Sequence, residues 1–563
     1  MEINRAIFRL YDIRGSSLLD INTTIAYKIG FCFTKLNISK QGNKIFVGRD
    51  GRLSSPALYH ALVNGIISAG GQVISIGLVP SPVLYFADKI FNPQASIMIT
   101  GSHNPKDDNG FKMLSQGKSF FDQQIQCLLN SILNTDWSSH DCSIVDPTNI
   151  TPNSQTSLRG ATLVATKQSR KMIRNGLLRR LTPPRNDASL LCLNANRVSY
   201  NVQELNITDQ YIDRILQEIT IDPKIKVAWD PANGAAGNII DLLALRLPNK
   251  NIVINSEIDG NFPNHHPDPT IPKNLEQLIE VVKTQNCDIG IAFDGDADRI
   301  VIVSKTGRII LGDQILCILA KDVIDQNPNA TIIMDIKSSG AIFNQIKSYG
   351  GRPIMWKTGH SFIKDKMQTT KALLGGETSG HIFFADKYYG YDDAIYAALR
   401  FLDLLSRSDK TLDDMIDELP KCHSTPEISI PVPDNLKFDI IQQIKEDLIS
   451  KNIVFNDIDG IRIDSTIGYN RLPAKVAYAE RFEGDASPRT AAYSSVREDS
   501  STASTYKSPA EVEFCRKSNA WWLLRASNTE AKIIARYESD SLEGLNSIKS
   551  ELTSLLAKYG LTL

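Results

Sequence analysis

Four polar loops carry the residue types that handle phosphoryl groups. The first, Ile99-Thr100-Gly101-Ser102-His103-Asn104-Pro105, follows an apolar, strand-like run over 95–100. Gly101 permits a sharp turn and Asn104-Pro105 marks a second, which predicts Ser102 at a strand end with its hydroxyl turned out of the sheet edge. The second, Asp294-Gly295-Asp296-Ala297-Asp298-Arg299, follows the apolar run 289–293. Carboxylates at alternate positions repel one another and converge only if the loop curls around a cation. An EF-hand would need glycine at the sixth loop position and glutamate at the twelfth, where Arg299 and Lys305 stand. A hard divalent ion, Mg²⁺ above all, open to a phosphate oxygen is the better fit. The third loop, Gly375-Gly376-Glu377-Thr378-Ser379-Gly380-His381, lets the backbone approach a ligand. Glu377 can accept from vicinal hydroxyls, and Ser379 and His381 can donate or accept. Just upstream, Trp356-Lys357-Thr358-Gly359-His360 offers a further phosphate or acid–base contact. The fourth, Arg525-Ala526-Ser527-Asn528-Thr529, gathers one guanidinium, two hydroxyls and one amide into a cradle for a phosphate.

The elements that must hold these loops follow a regular rhythm. Strand patterns at 44–48, 72–78 and 95–100 alternate with helical ones at 55–69, which Pro56 can open, and from 82. The rhythm restarts with strands at 225–230, 251–255 and 288–293 and helices at 237–245 and 275–283. It restarts again with strands at 330–336, 352–356 and 372–374 and helices at 313–325, 341–349 and 362–369. The expected fold is therefore α/β, with three successive similar domains of mixed, mainly parallel sheets. After Pro426 the pattern changes to a smaller C-terminal α+β domain, with strands at 428–430, 460–463, 521–524 and 532–537 and a helix near 438–450. The expected boundaries are 1–148, 201–307, 308–422 and 423–563. Two stretches break the rhythm. The expected linker or insertion at 149–200 contains eight Lys/Arg and no Asp/Glu between 159 and 185, and 484–511 is rich in Ser and Thr. Both resemble translated repeat elements inserted into reading frames, which surface loops tolerate at little thermodynamic cost.

Composition excludes several classes. A hydrophobic fraction of 42% and a charged fraction of 22% are those of a globular protein with sizeable cores. The net charge of −1 supplies no field for nucleic acid or a membrane surface. The eight cysteines include no C-x-x-C pair, so buried thiols are expected rather than a disulfide or zinc framework. No Walker A pattern and no dinucleotide fingerprint in a suitable context occurs. Without an apolar leader or a run of about 18 apolar residues, the expectation is a cytoplasmic protein.

Taken in order, the four loops resemble the α-D-phosphohexomutase superfamily, and in particular its bacterial phosphomannomutase/phosphoglucomutase branch. The resemblance extends to Asp259-Gly260-Asn261-Phe262-Pro263-Asn264-His265-His266-Pro267-Asp268-Pro269, to 356–360 and to Tyr389-Gly390-Tyr391-Asp392-Asp393. It implies four domains around a central cleft. It also implies a phosphoserine at Ser102, with Asp294, Asp296 and Asp298 holding one Mg²⁺ together with a phosphoserine oxygen. Glu377 and Ser379 would read the sugar hydroxyls, and Arg525, Ser527, Asn528 and Thr529 would clamp the phosphate that is not transferred. Arg14, Lys112, Arg299, Lys337, His360 and His381 would complete the electrostatics and acid–base work, with Tyr11 lining the cleft. The implied reaction interconverts hexose 1- and 6-phosphates of mannose or glucose through a hexose 1,6-bisphosphate, which also serves as activator. Lys112 and His360 are both candidates for the general base. The alternatives are phosphoglucosamine mutase activity, a phosphatase and a non-catalytic sugar-phosphate-binding protein. Hexose phosphates are the expected partners, and a monomer is expected, with a dimer as the other option.

Overall fold

The computed structural model describes residues 3–39, 42–139, 202–464, 520–527 and 531–563; the stretches 159–185 and 484–511 lie outside the described residues. In the first sheet the strands run in the order Ile13–Ser16, Asp108–Ser115, Ala95–Ile99, Lys44–Arg49, Gln72–Leu78 and Gln203–Glu204. The last four are parallel, and the first two are added antiparallel. The second sheet orders Ile309–Ile310, Ile300–Ser304, Ile289–Phe293, Lys226–Asp230 and Lys250–Val253. The third orders Arg352–Trp356, Thr331–Asp335, Leu374–Gly376 and Ile382–Phe384. Both repeat the mixture, with parallel pairs in the interior and antiparallel strands at one edge. The fourth sheet is antiparallel throughout, built on the pair Ala520–Ala526 and Lys532–Ser539.

This mixture positions the polar loops. Ala95–Ile99 turns back into Asp108–Ser115, Ile289–Phe293 into Ile300–Ser304, Leu374–Gly376 into Ile382–Phe384 and Ala520–Ala526 into Lys532–Ser539. Each loop with chemical potential is thus the reversal of an antiparallel pair. Antiparallel neighbours need only a short connection, whereas parallel ones need a crossover, so each turn stays at the end of its sheet. The leading strands Ala95–Ile99, Ile289–Phe293 and Leu374–Gly376 are buried along their whole length, and this explains their unbroken apolar character.

After residue 201 the chain first adds Gln203–Glu204 to the edge of the first sheet. Only then does it enter the helix Thr208–Leu216 and the second sheet. The boundary drawn at 201 therefore falls at a strand that belongs, by its hydrogen bonds, to the first unit. One apolar cluster runs from Phe46, Ile74 and Leu84 of the first unit through Trp229 and Ile291 to Leu316, Ile332 and Phe401 of the third. The C-terminal unit has its own core around Ile444, Trp522 and Leu552. It meets the third unit through Trp521, Leu523 and Ile336. Buried Arg462 and Arg536 add hydrogen bonds to the carbonyls of Ile336, Lys337 and Ser338. No described helix is long and apolar enough to cross a membrane.

Candidate active site

Ser102 is 2% exposed and adopts φ +48°, a left-handed conformation that costs a non-glycine residue about 1–2 kcal/mol. Neighbours hold it there. Thr100 Oγ1 accepts from the Ser102 amide at 2.8 Å, and the Ser102 carbonyl accepts from Arg52 Nη2 at 2.7 Å. The same guanidinium donates to the carbonyls of Asn104, Pro105 and Asp108. Arg14, paired with Asp12 at 2.6 Å, donates to the Gly101 carbonyl and to Asn104 Oδ1. Arg52 is fully buried and went unnoticed in the sequence. Its signal is slight: an Asp-Gly-Arg turn directly after a strand.

From this loop the Ser102 hydroxyl donates to Asp294 Oδ2 at 2.7 Å, across 192 residues of sequence. Backbone shape allows the approach, because a Cβ on Gly295 would stand 2.5 Å from the Ser102 carbonyl. Asp294, Asp296 and Asp298 are all fully buried, and each brings one carboxylate oxygen within 4.8 Å of the others. Such a trio can hold a metal ion; Asp298, His381 and Asp392 form a second group of the same span. Burial and its two acidic neighbours push the Asp294 carboxyl well above the usual range. Burial opposes the charge of Asp296 too, but Lys112 overrides it and holds that carboxyl low. Lys112 ion-pairs with Asp296 at 2.7 Å and with Asp298. Burial would lower its ammonium, yet these two carboxylates raise it. Ser81, another residue unseen in the sequence, donates its hydroxyl to Asp296 Oδ2 at 2.5 Å from the start of the helix Ser81–Phe91.

The third loop joins through its histidine. Arg299 Nε donates to His381 Nε2 at 3.0 Å, while His381 Nδ1 lies 3.5 Å from Asp298 and 3.4 Å from Asp392. His360 stacks on His381 with ring centroids 5.7 Å apart, and Tyr11 meets His360 edge-on at 5.8 Å. Burial and the Lys364 ammonium push the His360 imidazole well below its usual range. Glu377 accepts from the Gly359 amide at 3.0 Å and from Ser379 Oγ at 3.1 Å, and burial raises its carboxyl.

Burial raises the Tyr11 hydroxyl, against the fields of Arg14 and, from the fourth loop, Arg525. Arg525 is 5% exposed and pairs with Asp459 at 3.1 Å, and Asp459 also accepts from the Thr358 amide. Arg525 Nε is buried without a hydrogen-bond partner among the described residues. Lys337 pairs with Glu427 at 2.6 Å. Ser527 is buried, its amide donating to the Lys532 carbonyl at 3.0 Å. Asn528 and Thr529 lie outside the described residues. Ser102, the three aspartates, Arg14, Lys112, Arg299, His360, His381 and Tyr11 thus form one contact network. Glu377 and Ser379 adjoin it through Gly359, whereas Lys337, Arg525 and Ser527 are tied to Glu427, Asp459 and Lys532. Asp50, Asp335, Lys364, Asp392 and Asp459 complete the framework. The sequence offered a hint only for Lys364, four positions beyond His360 on one helix, and for Asp392, inside the aromatic run 389–393.

Three α/β units and a C-terminal unit, each presenting its polar loop at the reversal of an antiparallel pair, define the α-D-phosphohexomutase architecture. The family models for phosphoglucomutase/phosphomannomutase match in order: alpha/beta/alpha domain I over residues 5–138, domain II over 209–307, domain III over 311–423 and the C-terminal domain over 475–555. A phosphomannomutase/phosphoglucomutase of Pseudomonas putida is 35% identical over 98% of this chain and 96% of its own. A phosphoglucomutase of Neisseria gonorrhoeae is 36% identical over 86% of this chain and 94% of its own. The crystal structure of a phosphoglucomutase/phosphomannomutase family protein from Burkholderia thailandensis superposes with a TM-score of 0.73 at 29% identity, covering 100% of both chains. The chain belongs to the phosphoglucomutase/phosphomannomutase family.

Proposed function

We propose that this enzyme interconverts the 1- and 6-phosphates of mannose or glucose by relaying a phosphoryl group through Ser102. One observation carries the assignment of the nucleophile: a buried serine hydroxyl 2.7 Å from the first carboxylate of a three-aspartate loop. In the proposed cycle Ser102 carries the phosphoryl group at rest. A free sugar hydroxyl attacks phosphorus and gives up its proton, the bond to Ser102 Oγ breaks and that oxygen takes up a proton, and a hexose 1,6-bisphosphate forms. After the bisphosphate turns around, Ser102 Oγ attacks its other phosphate and the product monophosphate leaves.

Asp294, Asp296 and Asp298 are the proposed holders of one Mg²⁺ together with a phosphoserine oxygen. Their chemistry fits, since the donors are hard oxygens and Asp296 Oδ1 and Asp298 Oδ1 are buried with no hydrogen-bond partner among the described residues. The ion, when bound, polarises the phosphoryl oxygens. Transfer of this kind asks mainly for positioning and charge compensation. Arg14, Lys112 and Arg299 supply positive charge beside Ser102. Glu377 and Ser379 read the hydroxyls, and Lys337, Arg525, Ser527, Asn528 and Thr529 take the phosphate that stays. That clamp serves either end of the sugar, so it stands apart from the nucleophile.

Mass spectrometry of the purified protein tests the relay directly, with a phosphoryl adduct expected on Ser102. Ser102→Ala is expected to abolish turnover and retain sugar-phosphate binding, and a catalytic amount of hexose 1,6-bisphosphate to activate the dephosphorylated enzyme. Undiminished turnover in Ser102→Ala would discard the mechanism. Comparing mannose, glucose and glucosamine phosphates as substrates establishes the preferred sugar.

A further inference from the structure

Behind the paired imidazoles lies a cation that the mutase cycle leaves without a task. Lys364 sits on the helix His360–Thr370, four residues after His360. Its ammonium donates to Asp392 Oδ1 at 2.9 Å and stands 3.2 Å from His360 Nδ1. An ammonium has only donors to offer, so Nδ1 facing it accepts and the ring proton resides on Nε2. His360 Nε2 is buried and has no hydrogen-bond partner among the described residues. The ring also faces His381, Tyr11, Asp392 Oδ2 at 3.4 Å from Nδ1, and the field of Lys112. A buried donor with nothing to donate to is kept where a ligand supplies the acceptor.

We infer that Lys364, braced by Asp392, is a positioning residue that locks His360 in the Nε2–H tautomer, so that His360 donates a fixed hydrogen bond to an oxygen of the bound sugar phosphate instead of serving as the general base. The inference rests on the mutase reading for the identity of the ligand only; the tautomer belongs to the free protein.

A groove makes the idea testable. Lys364 also lines a cavity of about 320 Å³ between the first and third units, together with Ser115, Lys118, Phe121, Asp365 and Gln368. Shortening Lys364 leaves a path by which a small amine can reach the vacated position.

The experiment uses the full-length protein and its Lys364→Ala variant, with ¹⁵N-imidazole NMR assigned by means of His360→Gln. In the unaltered protein His360 is expected as the Nε2–H tautomer. In Lys364→Ala the signal becomes a mixture of tautomers and kcat falls about ten- to a hundredfold, the range seen when a partner that orients a functional histidine is lost. KM changes less, and added ethylamine restores both the tautomer and part of kcat. A single Nε2–H tautomer in Lys364→Ala overturns the inference, and so does a loss of kcat that ethylamine cannot restore in a folded variant. If Lys364→Ala fails to fold, Lys364→Met keeps an unbranched stem and removes only the ammonium, which lies 4.4 Å over the Tyr85 ring. The same loss of tautomer preference is then required, and its persistence overturns the proposal. A protein with the expected tautomer but without mutase turnover would sink the mutase reading and leave the role of Lys364 standing.

Discussion

Arg52→Met is the perturbation that best tests what holds the Ser102 loop in its shape. Arg52 is 1% exposed, ion-pairs with Asp50 at 3.3 Å and donates to the carbonyls of Ser102, Asn104, Pro105 and Asp108. Methionine fills much of the volume but strands those acceptors and removes the charge facing Asp50. Breaking a buried pair in this way costs about 3–5 kcal/mol. Asp50 keeps its bonds from Ser55 and the Gly101 amide, so the lower end applies. At roughly 2–4 °C per kcal/mol for a unit of this size, the midpoint of thermal unfolding should fall by about 10 °C. The kinetic effect is larger than stability alone requires. Ser102 at φ +48° relaxes once its carbonyl is released, and a displacement of about 1 Å of a reacting atom can cost 10²-fold in rate. Arg52→Lys should recover little, since one ammonium cannot span carbonyls that a planar fork reaches. Differential scanning calorimetry and steady-state mutase kinetics on the same preparations read both effects. A variant that melts and turns over like the unaltered protein would refute the claim that Arg52 holds the Ser102 loop.

Other expectations follow from single observations. Arg525→Met removes a guanidinium available for a charge-assisted phosphate contact, which at about 1.5–3 kcal/mol predicts a ten- to hundredfold weaker affinity for sugar phosphate by calorimetric titration; unchanged affinity would count against the clamp. Burial pushes the Asp393 carboxyl up from 3.8 to about 6, although Tyr396 N, Tyr388 and Tyr211 donate to it. Because the folded state holds that proton more tightly than the unfolded one, this contribution to stability is full below pH 3.8 and is lost as pH rises through about 6, a difference of roughly 2–3 kcal/mol. Thermal melts between pH 5 and 7 should therefore show the unaltered protein losing stability relative to Asp393→Asn as pH rises, and parallel curves would contradict it. Deleting 159–185, which lies outside every matched family domain, should leave turnover nearly intact, and a large loss in a folded deletion protein would assign the segment a role.

Local chemistry made much of this protein legible. The apolar strands leading into residues 100, 294, 377 and 527, the turn residues after them and the inward-repelling aspartates all act over a few positions, and the structure keeps them as strand-end loops. The returning strands were harder to see. Asp108–Ser115 carries Asp, Asn, Gly and Lys among its apolar residues, a pattern typical of solvent. Lys112 is nevertheless buried, because two carboxylates from another unit neutralise it. The partners themselves were beyond local reading. Ser102 meets Asp294 across 192 residues and Ser81 meets Asp296 across 215. No periodicity or spacing encodes such pairs, because they arise when separately formed sheets pack through a shared apolar core. Residue types and turn chemistry therefore determined which loops could act. Which side chains share protons, charge and tautomer was decided only by tertiary packing, since burial sets the strength of every electrostatic contact between them.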